Sequence, residues 1–69
     1  MTTAQIERVK REIKKLTAKL EKATERLNRT IQIVKEDASW EMFLEEDKKW
    51  VDYYTRHINR LNNMIKEVA

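Results

Sequence analysis

Two apolar stripes, each at helical spacing, run through this chain three residues out of step with one another. The first is Ile6, Val9, Ile13, Leu16, Leu20, Ala23, Leu27, Thr30 and Val34. The second is centred on Leu44, Val51, Ile58 and Ile65, with Tyr54, Leu61 and Val68 beside them. Steps of three and four place side chains on one side of an α-helix, so each stripe predicts a helix with one buried face. Carrying the first stripe forward by sevens reaches Glu41 and Lys48, which are charged. A single continuous helix would have to shift its seam sideways at that point. A turn removes the conflict.

The expected fold class is therefore all-α: an antiparallel two-helix hairpin forming one domain over residues 1–69, with helix 3–35, turn 36–39 and helix 40–67. A single coiled-coil rod of about 100 Å is the alternative if no turn forms. Three short helices, broken near Glu45–Lys49, are a second alternative, weakened because Leu44, Val51 and Ile58 stay in phase across that stretch.

Local signals agree with the hairpin. The chain has no Gly and no Pro, so nothing interrupts either helix from within. Thr2 and Gln5 have the spacing of a capping box, and Asp37 or Ser39 can cap the second helix, with Glu41 in its first turn. A left-handed turn residue would have to be Asn or Asp. Folding about residues 38 and 39 pairs positions whose numbers sum to about 77. Leu20 then meets His57 and Ile58, Leu16 meets Leu61, and Val9 meets Val68. Thr30 falls beside Asp47, which predicts a solvated polar layer near the tip. The sharper expectation is that Asp47 bonds Thr30 or Arg26 and fixes the register.

Two helices share one seam, and the apolar surface is wider than that. Phe43, Trp50, His57 and Met64 form a further row at every seventh residue, and Ile31 and Ile33 widen the first helix. A chain of 69 residues without Cys has no disulfide to compensate for a small core. The expected interface is thus Phe43, Trp50, Tyr54, His57, Leu61 and Met64, shared with a second copy in a four-helix bundle or with a larger protein target. Charge suggests an alignment for a homodimer. Residues 1–35 hold ten Lys and Arg against four Glu, and residues 36–69 hold five against eight Asp and Glu. Each hairpin is then acidic at its tip and basic at its open end, which favours an antiparallel homodimer.

The residues say little about chemistry. Arg8, Lys15, Lys22 and Arg29 recur at every seventh residue with Arg11 beside them, and such a ridge can follow a phosphate backbone. Interleaved Glu7, Glu12, Glu21 and Glu25 argue for a solvated charged face instead. A small nucleic-acid-binding regulator is therefore the second functional reading, after a non-enzymatic helical interaction, assembly or regulatory module. Trp50, Tyr53, Tyr54 and His57 cluster on adjacent turns, where packing is the commoner role and base stacking the rarer one. His57 is the only His, its helical neighbours include no carboxylate, and it is expected to pack. Asp37, Glu41, Glu45 and Glu46 lack the spacing of a metal loop. No catalytic, cofactor or metal residue is predicted. The first helix is basic and amphipathic but has no Trp or Phe for a membrane surface. No apolar run reaches the roughly 20 residues of a membrane span, and Met-Thr-Thr-Ala-Gln does not read as a secretory signal. A cytoplasmic protein is the expectation.

Overall fold

Thr2 opens the first helix as the sequence predicts. Its hydroxyl accepts a hydrogen bond from the Gln5 backbone N–H, and the Gln5 side chain accepts one from the Thr2 N–H at 2.8 Å. This capping box satisfies two of the amide donors that a helix start leaves open. In the computed structural model, which describes residues 2–68, the helix (α1) then runs from Thr3 to Glu36. Asp37 alone breaks it. A 3₁₀ turn at Ala38–Trp40 leads into the second helix (α2), Glu41–Val68. The described chain is all helix and turn, with α2 unbroken through Glu45–Lys49.

The long dimension is 51 Å, the length of α1 alone at 1.5 Å per residue, and the other two are 16 and 12 Å. The helices therefore lie side by side and antiparallel, and the extended rod is excluded. Asp37, one of the two residues expected to cap there, is the N-cap of the turn. No described residue has a positive φ, so no left-handed Asn or Asp is used. Asp37 instead takes an extended conformation, φ −142° and ψ 99°, and redirects the chain in one residue. Its carboxylate accepts the Ser39 backbone N–H at 3.0 Å and the Ser39 hydroxyl at 2.7 Å. Those two bonds hold the Asp37 carboxyl below its usual 3.8, the hydroxyl being the larger cause.

The seam between the helices follows the predicted register. Thr30 donates from Oγ1 to Asp47 Oδ2 at 2.5 Å, and Arg26 Nε lies 3.3 Å from Asp47 Oδ1. The solvated polar layer expected there is not what forms. Thr30 and Asp47 are 6% and 4% exposed, more enclosed than most of the apolar seam around them. Asp47 is short and both of its oxygens find donors, so its burial leaves no polar atom unpaired. The sharper expectation, that Asp47 bonds Thr30 or Arg26, is met by both contacts.

Leu16 is the one buried apolar residue among those described. Ile6, Val9, Ile13, Leu20, Leu27 and Val34 on α1 are half-buried, as are Leu44, Val51, Ile58, Leu61 and Ile65 on α2. Two cylinders touch along a line, and each leaves the flanks of its stripe open. The expected meeting of Val9 with Val68 lies outside the described side chains.

Candidate helix-docking face

The register that joins Thr30 to Asp47 also sorts the remaining rows onto two sides of the hairpin. One turn outward from the seam on one side, α1 carries Glu12, Lys19, Arg26 and Ile33 at every seventh residue. On the same side α2 carries Phe43, Trp50, His57 and Met64. The two rows face each other in height: Ile33 is level with Phe43, Arg26 with Trp50, and Lys19 with His57. A hollow of about 330 Å³ between the helices brings Arg26 and Trp50 to one site, lined by Lys19, Lys22, Ala23 and Arg26 from α1 and by Asp47, Trp50 and Tyr54 from α2. Ala23 causes it, because a methyl group fills little of a seam position that Leu occupies elsewhere.

Trp50 is the centre of the aromatic cluster. It stacks on Tyr54 at 5.9 Å between ring centroids and meets Tyr53 edge-on at 6.0 Å. Tyr53 in turn lies edge-on to Tyr54 at 5.4 Å and to His57 at 6.0 Å. Ring pairs at these distances and angles are attractive beyond their burial, so the cluster holds its shape. Half of Trp50 nevertheless remains exposed. At the tip Phe43 packs on Trp40 at 4.9 Å, and Met64 stands toward the open end.

The residues expected at an interface thus separate into two groups. Phe43, Trp50 and Met64 are 42%, 50% and 40% exposed and lie on the open flank. Tyr54, His57 and Leu61 are half-buried; Tyr54 and Leu61 belong to the seam, and His57 sits at its margin against Tyr53. The basic residues Arg8, Arg11, Lys15, Lys22 and Arg29 are all exposed. Arg29 pairs with Glu25 at 3.8 Å, while among the described residues the other four make no ion pair. Lys19 and Arg26 escaped the sequence reading as surface residues of this site. The signal for them was present: their seven-residue spacing and a register sum near 77 place them opposite His57 and Trp50.

A second hollow, about 440 Å³, lies on the outer surface of α2 among Lys49, Asp52, Tyr53, Arg56, His57 and Arg60. Asp52 is committed there to Arg56 at 3.1 Å. Among the described residues no three of His, Asp and Glu gather closely enough to hold a metal ion, and no helix is long and apolar enough to cross a membrane. No protein-family model matches this chain, and neither the curated proteins nor the solved structures contain a significant match to it.

Proposed function

We propose that this chain is a non-enzymatic helical interaction module that works by offering one side of its hairpin to a further helix. One observation carries the reading. Seven large apolar side chains among the described residues are at least 36% exposed, and five of them fall on one side: Ile33, Phe43, Trp50, Tyr53 and Met64. Covering the exposed part of each adds roughly 1 kcal/mol. Five together rival the whole stability of a small domain, about 5 kcal/mol at the lower end. The cover is supplied either by a second hairpin, giving a four-helix bundle, or by a helix of another protein, giving a three-helix one. Tip and open end carry opposite charge, which favours an antiparallel alignment if the cover is a second copy.

Sedimentation equilibrium on the chain and on Trp50→Ala tests the reading. Concentration-dependent association that Trp50→Ala weakens supports a self-interface. A monomer whose Trp50 becomes shielded on adding another protein supports a foreign one. A monomer that binds nothing through this side refutes the proposal.

The second reading, a nucleic-acid-binding regulator, draws support from the juxtaposition of Lys19, Lys22 and Arg26 with Trp50 in one hollow, since single strands bind where cations adjoin stackable rings. It requires an affinity for an oligonucleotide that falls steeply with salt, and no shift at low salt removes it.

A further inference from the structure

The sorting of charge on the docking side selects what can cover it. Between Arg8 and Arg29, the two α1 rows on that side hold six cations, Arg8, Lys15, Lys19, Lys22, Arg26 and Arg29, against one carboxylate, Glu12. Of the six, Arg26 is held by the chain's own Asp47 and Arg29 by Glu25. The facing α2 rows hold Glu46 and Glu67, one at each end and about 30 Å apart along the helix. Between them stand Trp50, Tyr53, His57, Arg60 and Met64. The middle of the docking side is thus a rail of lysines parallel to a rail of aromatic and apolar side chains broken only by Arg60.

A second copy meets this layout badly in both alignments. With tips apart, α1 faces α1 of the partner, so Lys15 meets Lys22 and Arg8 meets Arg29. With tips together, α1 faces α2 of the partner, and the lysine rail meets the aromatic one. Neither brings a carboxylate level with Lys15, Lys19 or Lys22, and with tips apart Glu12 answers only the Lys22–Arg26 end. Their long stems can lie along apolar surface, but only by turning the ammonium groups outward from the contact.

Resting on the reading of this side as a helix-docking face, we propose that its occupant is an acidic amphipathic helix of another protein. Its apolar stripe lies against Phe43, Trp50 and Met64, with one large side chain entering the hollow over Ala23. A row of Glu or Asp along its edge meets Lys15, Lys19 and Lys22. The hairpin and its ligand then form a three-helix bundle in which the charges on the α1 edge are answered. Shape and charge agree on this occupant: the hollow over Ala23 has Trp50 and Tyr54 on its α2 wall and Lys19, Lys22 and Arg26 on its α1 wall.

The test uses two synthetic peptides of about 20 residues, both amphipathic helices with the same Leu and Phe stripe. One carries Glu along one flank of the stripe, and its twin carries Lys there. Binding is followed by fluorescence anisotropy of the labelled peptide. The acidic peptide is expected to bind at least about tenfold more tightly than its twin, the size of three exposed charge pairs, with the ratio shrinking as salt rises. Lys15→Glu/Lys19→Glu/Lys22→Glu should abolish that preference and Trp50→Ala should weaken both peptides. Lys10→Glu/Lys14→Glu/Lys48→Glu, on the other side, should change neither, with helicity by circular dichroism checking that each variant folds.

Equal affinity for the twins, or equal damage from the two triple variants, overturns the proposal. So does an oligonucleotide that occupies the same side more tightly than the acidic peptide. If neither peptide binds while the chain associates with itself through Trp50, the docking face stands and the acidic ligand falls. If neither peptide binds and the chain stays monomeric, both fall.

Discussion

On one side of the hairpin Thr17, Thr24 and Thr55 turn their hydroxyls back to the carbonyls of Ile13, Leu20 and Val51, each at 2.8 Å. On the other, Phe43, Trp50 and Met64 stand open beside a row of lysines. The rows on the threonine side, extended one turn outward, hold five carboxylates and five cations: Glu7, Glu21, Glu41, Glu45 and Asp52 with Lys10, Lys14, Lys35, Lys48 and Lys66. That side is small, internally satisfied and neutral. The aromatic side is large, unsatisfied and mainly cationic along α1. Both sides flank the same seam, so folding alone gives no reason for the difference. A surface that merely keeps the chain in solution resembles the threonine side.

The largest effect is expected where the two sides meet. Leu16→Ala should destabilise the hairpin by about 2–5 kcal/mol, since Leu16 is the most enclosed apolar residue and its loss leaves a void in the seam. Urea unfolding followed by circular dichroism measures it at a fixed protein concentration. A change below about 1 kcal/mol would mean that the seam is too loose for either side to be called a surface.

Asp47→Ala comes next. It strands the buried Thr30 hydroxyl and releases Arg26, at a cost of about 1–3 kcal/mol. Thr30→Val with Asp47→Leu should recover most of that, because two apolar residues leave no donor unpaired. The double variant should instead lose the unique register, visible as broadened or doubled amide signals by NMR. A double variant that stays as well ordered as the parent would show that the apolar stripes set the register unaided.

The contrast between the sides is tested directly by Trp50→Ala against Thr24→Val. In dilute solution, Trp50→Ala should cost about 1 kcal/mol, since half of its surface is already in water. Thr24→Val removes a hydroxyl bonded only to its own helix and should fall within about 0.5 kcal/mol of zero. The same Trp50→Ala should weaken helix binding, and Thr24→Val should leave it intact. Loss of binding in both would erase the distinction drawn here.

Much of this was legible in the sequence because it depends on spacing. The phase change between the stripes requires the turn, and the turn's position sets the sum that brings Thr30 to Asp47. Thr2 and Gln5 declared the first cap. What spacing could not say is which of two outcomes a polar pair in a seam adopts. Thr30 and Asp47 close off because Asp47 is short and meets two donors, a matter of side-chain reach. The path of the turn was hidden for a similar reason. Without Gly, a left-handed turn would need Asn or Asp, yet an extended Asp37 that accepts both donors of Ser39 redirects the chain with no positive φ. The role of Lys19 and Arg26 emerged only when the register was applied to the rows beside the stripes.

Asp37 supplies the smallest effect and belongs to neither side. Its carboxylate accepts both donors of Ser39 and lies fully in solvent, so its shift is downward from 3.8. A carboxyl whose folded value lies below its unfolded one stabilises the fold above the unfolded value, and that contribution fades as pH falls through the lowered folded value. The difference in unfolding free energy between the parent chain and Asp37→Asn should therefore be constant near neutrality and drift as pH falls toward and below 3.8. The carbon-13 shift of the Asp37 carboxyl should report a midpoint under 3.8, and a midpoint at or above it would mean that the Ser39 bonds do not persist in solution. In that case the tip would be free to re-angle the helices, and the level pairing of Arg26 with Trp50 would lose its anchor at that end.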